Sequence, residues 1–82
     1  MKHIILAQNI NIAKKGLNDL KYNLEVFEIS KPNMMIKQRT KFLNLLNKYE
    51  KDINNLDITL IQVDDILSFI DKTNSLIVKT LI

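Results

Sequence analysis

The chain has 82 residues, of which 46% are apolar and 26% are charged, and its formal net charge is +3. Such a composition is typical of one small folded domain and is too apolar for a disordered chain. The chain has no cysteine, which excludes a disulfide framework and a thiolate zinc site, and its single histidine, His3, excludes a multi-histidine metal site. The single glycine leaves no glycine-rich loop for a phosphate group, so we expect no cofactor.

The start of the chain and its hydropathy bear on location. The first apolar stretch runs only from Ile4 to Ala7, whereas a signal peptide needs about 7–15 apolar residues. No apolar run approaches the ~20 residues that span a bilayer. We therefore expect a cytoplasmic protein without a membrane span, with export by a route that cleaves no signal as the alternative. The excess of isoleucine, lysine and asparagine is typical of an AT-rich genome, such as that of a mobile element or a virus.

The first predicted element is a helix over residues 4–28. Its apolar residues follow one another in alternating steps of four and three, which is the heptad pattern of a helix that buries one seam. The seam consists of Leu6, Ile10, Ala13, Leu17, Leu20, Leu24 and Phe27. Gly16, beside the seam, costs the helix about 1 kcal/mol relative to alanine. It either lets another helix approach closely or is simply tolerated, and we favour the second interpretation.

A break is predicted at Ser30–Asn33, because Pro32 disfavours helix at the residue before it and cannot lie in a helix interior. After the break the heptad steps continue from Met35 to Leu81. This run is either a single long helix or two helices separated near residues 52–57.

The distribution of charge favours two helices after the break. Residues 31–51 carry six basic residues and one acidic residue, whereas residues 52–71 carry five aspartates and no basic residue. A single long helix would place the basic block at the positive end of the helix dipole, which is unfavourable. A new helix after Asn54 or Asn55 instead places Asp57 in a favourable first turn, and Asn-x-x-Asp there loosely resembles a capping box.

We therefore predict an all-α fold, a three-helix bundle with coiled-coil-like heptad packing, as one domain over residues 1–82. The predicted helices cover residues 4–28, 34–53 and 56–72. The tail over residues 73–82 is ambiguous, because Thr-Asn-Ser at its start is typical of a helix stop although the heptad register passes through it. A helical hairpin with one long second helix is the alternative.

The third predicted helix and the tail carry more apolar residues than one seam can bury. A chain this short buries only about 60–65% of its unfolded surface, so association with another chain would add to its stability. We expect the protein to bind a partner protein or to form a homo-oligomer, with the tail folding back over the bundle as the alternative. The expected anchors of this protein interface are Ile66, Phe69, Leu76 and Val78.

An acidic line is predicted beside the seam of the third helix, because Asp57, Asp64 and Asp71 recur every seven residues. In an up-down-up bundle this line can face Lys14 and Lys21 of the first helix, which are also seven residues apart. Each exposed pair would contribute only about 0.2–1 kcal/mol, so the line would select the partner and its orientation more than it would stabilise the fold. The alternative is that both lines are solvated and unpaired.

Catalysis is not expected from these residues. The adjacent carboxylates of Asp64 and Asp65 cannot point the same way from one helix, and paired-carboxylate chemistry needs two groups that converge across a cleft. The aspartates also lack the spacing of a calcium-binding loop. We therefore predict that the protein is not an enzyme and has no catalytic, cofactor or metal residues and no small-molecule substrate.

Nucleic-acid binding is the main alternative function. A line of basic residues on the outer face of the second helix can follow phosphate groups. Its lysines are Lys37, Lys41, Lys48 and Lys51. Base recognition favours arginine, however, and the single arginine, Arg39, lies on the seam side.

Two polar residues, Arg39 and Asn74, occupy seam positions after the break. A polar residue in a seam fixes the register of the helices at a cost in stability. Near a helix end it can instead reach solvent. Both residues fall near predicted helix ends, so we favour the second interpretation.

A proline followed by a mixed apolar and polar pattern is formed by Pro32, Met35, Ile36, Lys37, Tyr49, Ile53, Asn54, Leu60 and Ile61. This part of the chain, about residues 32–70, is loosely similar, with shifts of register, to the second helix of type III secretion needle subunits, which are short helical hairpins with a proline turn. The similarity does not assign the family. A secretion-apparatus subunit or its chaperone is therefore the second alternative. The predicted function is a small non-enzymatic interaction module, and one form of it is an inhibitor or regulator from a mobile element or virus.

Overall fold

A computed structural model of the chain describes residues 2–33 and 36–81. These residues form three helices, α1 (Lys2–Ser30), α2 (Ile36–Ile53) and α3 (Leu60–Leu81), and no strand lies among them. The helices pack as a bundle of 45 × 21 × 16 Å. The predicted all-α three-helix fold is confirmed, and the hairpin with one long second helix is excluded. Residues 34, 35 and 82, which belong to the predicted second helix and tail, lie outside the described residues.

The predicted seam of α1 is confirmed, because five of its residues are buried and the other two pack against the core. The helix is two residues longer at each end than predicted. Apolar periodicity marks the buried face of a helix and not its last exposed residues. At the C-terminal end the Lys31 amide still donates to the Phe27 carbonyl at 2.8 Å. The helix stops at Ser30 because Pro32 disfavours helical geometry at Lys31.

The second helix ends at Ile53, as predicted. The Asn54 side-chain amide donates to the Glu50 carbonyl at 2.8 Å, and the Asn54 backbone amide donates to the Lys51 carbonyl at 3.3 Å. These bonds satisfy carbonyl groups that the helix end would otherwise leave without a partner.

The third helix begins at Leu60, so the predicted start at residue 56 is wrong. The Thr59 hydroxyl accepts from the Gln62 amide at 3.3 Å, and the Gln62 side-chain oxygen accepts from the Thr59 amide at 2.8 Å. This reciprocal pair is a capping box, and it fixes the start of the helix. Asn55, the predicted cap, instead accepts from the Asp57 amide at 3.0 Å within the loop.

The third helix continues through the ambiguous tail to Leu81. Thr73 is buried and Ile77 lies in the core, so both have neighbours that a stop at residue 72 would remove. The Asn74 side-chain oxygen accepts a hydrogen bond from the side-chain amide of Asn23 on α1 at 3.1 Å. Tertiary contacts therefore override the weak helix propensity of the Thr-Asn-Ser segment.

The buried face of α3 is rotated relative to the predicted seam. The heptad steps after Pro32 place Leu67 and Asn74 in the predicted seam of α3. Both are only half-buried, and Ile66 and Thr73 take their places in the core. The rotation arises because α3 packs against two helices, whereas a single seam serves one neighbour. The buried residues of α3 are Val63, Ile66, Ile70, Thr73 and Ile77.

Gly16 brings α1 and α3 close together. A Cβ atom at Gly16 would lie 2.9 Å from Cδ1 of Ile70, which is closer than ordinary van der Waals contact. The structure favours the interpretation that Gly16 lets another helix approach closely. The Asn23–Asn74 hydrogen bond lies further along both helices in the same direction, so α1 and α3 run parallel.

A double-mutant cycle at Gly16 and Ile70 tests this approach. Gly16→Ala removes the backbone cost of glycine but places a methyl group against Ile70, so we expect it to change the free energy of unfolding by less than about 1 kcal/mol. In an Ile70→Val background the clashing Cδ1 atom is absent, and the same change should stabilise the protein by about 0.5–1 kcal/mol. Urea denaturation of the four proteins measures the coupling, and strict additivity would contradict the close contact.

Candidate interaction surfaces

Each pair of helices leaves an outer surface between them, and the predicted functional residues distribute over these surfaces. The side of α1 that carries Lys14 and Lys21 borders Glu50 near the end of α2. The opposite side of α1 carries Gly16 and Asn23 and faces α3.

The predicted pairing of the α1 lysines with the acidic line of α3 is therefore wrong. Lys14 and Lys21 lie toward α2, because they fall on the side of α1 away from Gly16. Asp64 and Asp71 are exposed on α3. Among the described residues the ion pair that forms is a different one, between Arg39 and Glu28, with nitrogen and oxygen 4.0 Å apart.

The first of the expected anchors, Ile66, is not at the surface. It is 1% exposed and lies in the core among α1 and α3 residues. Its place follows from the rotation of α3, which turns Ile66 inward. Ile66 is therefore unavailable to a partner in the folded chain, and its predicted interface role is wrong.

The second and third expected anchors, Phe69 and Leu76, lie seven residues apart on the α2 side of α3, and both are half-buried. The ring of Phe69 contacts that of Tyr49 on α2, with centroids 4.9 Å apart. Leu76 lines a cavity of about 10 Å³ at the end of the bundle together with Leu24 and Phe27. Contacts within the chain thus account for most of the surface of both residues.

The fourth expected anchor, Val78, is 54% exposed and forms a line with the two exposed aspartates of α3. Asp64, Asp71 and Val78 are seven residues apart, so they share one face of the helix. Asp57, the first residue of the predicted acidic line, is exposed but belongs to the loop. The line that the helix carries is therefore two carboxylates followed by an apolar residue.

An apolar surface accompanies this line on the side of α1 and α3 turned away from α2. On α1, Ile12 is 58% exposed and lies one turn before Gly16, and Ile5 follows the same line seven residues earlier. On α3, Leu60 is 39% exposed, and Leu67 lies one heptad later. We call this surface the α1–α3 face. It consists of Ile5, Ile12 and Val26 of α1 and Leu60, Leu67 and Val78 of α3.

The α1 part of this face has a signal in the sequence, although it is not among the expected anchors. Ile5, Ile12 and Val26 occupy one heptad position beside the seam, and Asp19 is the remaining residue at that position. A second apolar line beside a seam indicates a second neighbour for the helix. In the structure α3 supplies that neighbour only in part, so Ile5 and Ile12 remain exposed.

The basic face of α2 lies opposite the core, as the spacing predicts. All four of its lysines are exposed, and none forms an ion pair within the described residues. The ammonium group of Lys48 lies 5.6 Å from the centroid of the Tyr49 ring, within the range of a cation–π contact. The face consists of Lys37, Lys41, Lys48 and Lys51.

Arg39 does not reach solvent, contrary to our expectation. Its side chain is only 12% exposed, and its Nη2 atom donates to the Pro32 carbonyl at 2.7 Å. The Nε and Nη1 atoms are buried and make no hydrogen bond within the described residues. Asn74 likewise turns inward to pair with Asn23, which favours the register-fixing role for that residue.

None of the described helices combines the length and apolarity needed to cross a membrane. Among residues 2–33 and 36–81, no three acidic, histidine or cysteine side chains converge as metal ligands would. Comparison with protein-family models, with curated proteins and with solved structures finds no match to this chain.

Substitutions at Arg39 separate packing from charge. Arg39→Ala removes the aliphatic stem beside Leu24 and Phe27, and we expect it to lower the free energy of unfolding by about 1–2 kcal/mol. Arg39→Met keeps the stem and removes the buried, incompletely bonded charge. Its free energy of unfolding should therefore equal that of the native protein or exceed it by up to about 1 kcal/mol. Denaturant unfolding measures both variants. A methionine variant clearly less stable than the native protein would show that the charge itself stabilises the fold.

Proposed function

We propose that the protein is a non-enzymatic interaction module that acts by docking the α1–α3 face against another protein surface. The single observation that carries the proposal is the exposure of Ile5, Ile12 and Leu60 on one side of the bundle, with the half-buried Leu67 on the same face. Isolated apolar residues are common on protein surfaces, whereas a contiguous apolar patch marks an interaction site.

The arrangement of the helices supports the proposal. The 18 residues of α2 pack antiparallel to the second half of α1 and end beside Lys14 and Leu17. The first turns of α1 therefore lie beyond α2 and pack mainly against the start of α3 and the loop that precedes it. Two parallel helices with apolar residues along their junction offer the surface on which an additional helix packs in a four-helix bundle.

The small size of the chain supports the same conclusion. A domain of this length holds a thin stability margin, since its core consists of about a dozen buried apolar side chains. Exposed isoleucine and leucine residues add nothing to that margin in the isolated chain. Burial against a partner gives them a stabilising role, at roughly 25 cal/mol for each Å² removed from water.

Site-specific photo-crosslinking in cells that express the protein tests this proposal. We expect a crosslinker in place of Ile12 or Val78 to give an adduct of discrete mass. A crosslinker in place of Leu43, which is 38% exposed on α2 and lies outside the α1–α3 face, should not. The mass of the adduct distinguishes a second copy of the chain from a different protein.

Two controls make this result interpretable. Circular dichroism and thermal unfolding establish that each labelled chain is folded. Light scattering over a concentration series, from the low micromolar to the millimolar range, reports self-association independently of the crosslinker. Equal adducts from all three positions, or none from any, would contradict docking through the α1–α3 face.

Nucleic-acid binding by α2 is the second candidate function, favoured by one observation. The four lysines of the basic face are exposed, share one side of the helix and form no ion pair within the described residues. Such a face resembles the phosphate-contacting surfaces of nucleic-acid-binding proteins. If it functions in this way, affinity for duplex DNA or for RNA should fall steeply with salt, and Lys41→Ala with Lys48→Ala should reduce the salt slope by about two. Absence of binding at low salt removes this candidate.

A further inference from the structure

The charge around the α1–α3 face defines the chemistry of its partner. Asp64 and Asp71 are exposed along the α3 edge of the face, and Asp19 is exposed in line with Ile12 on α1. Lys15 is the basic residue near the α1 edge. The face is therefore apolar along its centre and carries more acidic than basic groups at its rim, although the chain as a whole has a net charge of +3.

The geometry of the face suits a helix. Gly16 and Ile70 hold α1 and α3 in close contact, so the junction between the two helices is a shallow groove that runs along both. Apolar residues lie one heptad apart on both helices, Ile5 and Ile12 on α1 and Leu60 and Leu67 on α3, which is the spacing at which a third helix inserts its own apolar residues. An amphipathic helix is therefore the segment that this surface accommodates.

A second copy of the chain does not fit the same groove well. In a symmetric contact between two α1–α3 faces, the Asp64 and Asp71 rims of the two copies add like charges to one interface, which is unfavourable. The oppositely charged surface of the chain is the basic face of α2. Its exposed lysines offer no apolar stripe to fill the groove.

Building on the proposed function, we infer that the α1–α3 face binds an amphipathic helix of a different protein. The apolar stripe of that helix packs on Ile5, Ile12, Leu60 and Leu67. Lysine or arginine residues beside the stripe pair with Asp64 and Asp71. The apolar stripe supplies most of the affinity, and the rim charges select a basic helix over an acidic one.

Two synthetic helical peptides with an identical leucine stripe test this inference, one flanked by lysines and the other by glutamates. We expect the lysine peptide to bind about tenfold more tightly at low salt, as two or three rim ion pairs imply, and to lose that advantage as salt rises. In a nuclear magnetic resonance titration its shift changes should cluster around Ile12, Leu60 and Leu67.

Matched variants locate the selectivity on the proposed rim. Asp64→Lys combined with Asp71→Lys should reverse the preference between the two peptides. Asp65→Lys is the control, because Asp65 is exposed on the same helix but points away from the α1–α3 face. Ile12→Asp should abolish binding of the lysine peptide, and the amide spectrum of each variant establishes that it is folded.

Two results would overturn the inference. One is equal affinity for the two peptides, and the other is a preference that Asp65→Lys reverses and the rim variants leave unchanged. Self-association that Ile12→Asp abolishes, without peptide binding, would also overturn it while leaving the proposed docking function intact. The absence of peptide binding, of self-association and of position-dependent crosslinks would overturn both.

Discussion

The close contact between α1 and α3 at Gly16 is the interaction on which the rest of the structure depends. Since glycine has no side chain, Ile70 packs directly against the α1 backbone, and the two longest helices form a parallel pair. The second helix approaches α3 less closely, and the aromatic rings of Tyr49 and Phe69 fill the space between them. The bundle is therefore asymmetric, with α3 packed more closely against α1 than against α2.

This asymmetry determines which surface remains apolar. Large side chains on the α2 side of α3 are half-buried because they bridge the wider gap between those helices. On the opposite side the close contact leaves no gap to fill, so Ile12 and Leu60 project beyond the junction into solvent. The apolar α1–α3 face thus lies along the junction of the two helices that Gly16 brings close together.

Much of the fold could be predicted from the sequence, because α1 buries a regular seam and Pro32 interrupts the helical pattern. The start of α3 was not predicted, although the capping box at Thr59 and Gln62 is visible in the sequence. The asparagines at 54 and 55 offer a competing helix cap earlier in the chain. The helical tail could not be predicted from local propensity, since contacts with α1 hold it in place.

The candidate site was predicted only in part, for a related reason. Val78, Asp64 and Asp71 lie at the surface as expected, because their spacing fixes them on one face of any helix. Ile66 was assigned to the wrong side of α3, since spacing alone does not show how far a helix is rotated when it packs against two neighbours. A one-dimensional pattern does not encode that rotation.

The polar pair between Asn23 and Asn74 gives the α1–α3 face its defined geometry. Apolar seams repeat every seven residues, so one helix can slide along the other by a heptad and still bury similar groups. Such a slip would break this part-buried hydrogen bond, at a cost of about 0.5–1.5 kcal/mol. The pair therefore fixes the level at which the aspartate rim of α3 lies beside the isoleucines of α1. A face whose apolar centre and charged rim come from two different helices keeps its pattern only while this register is held.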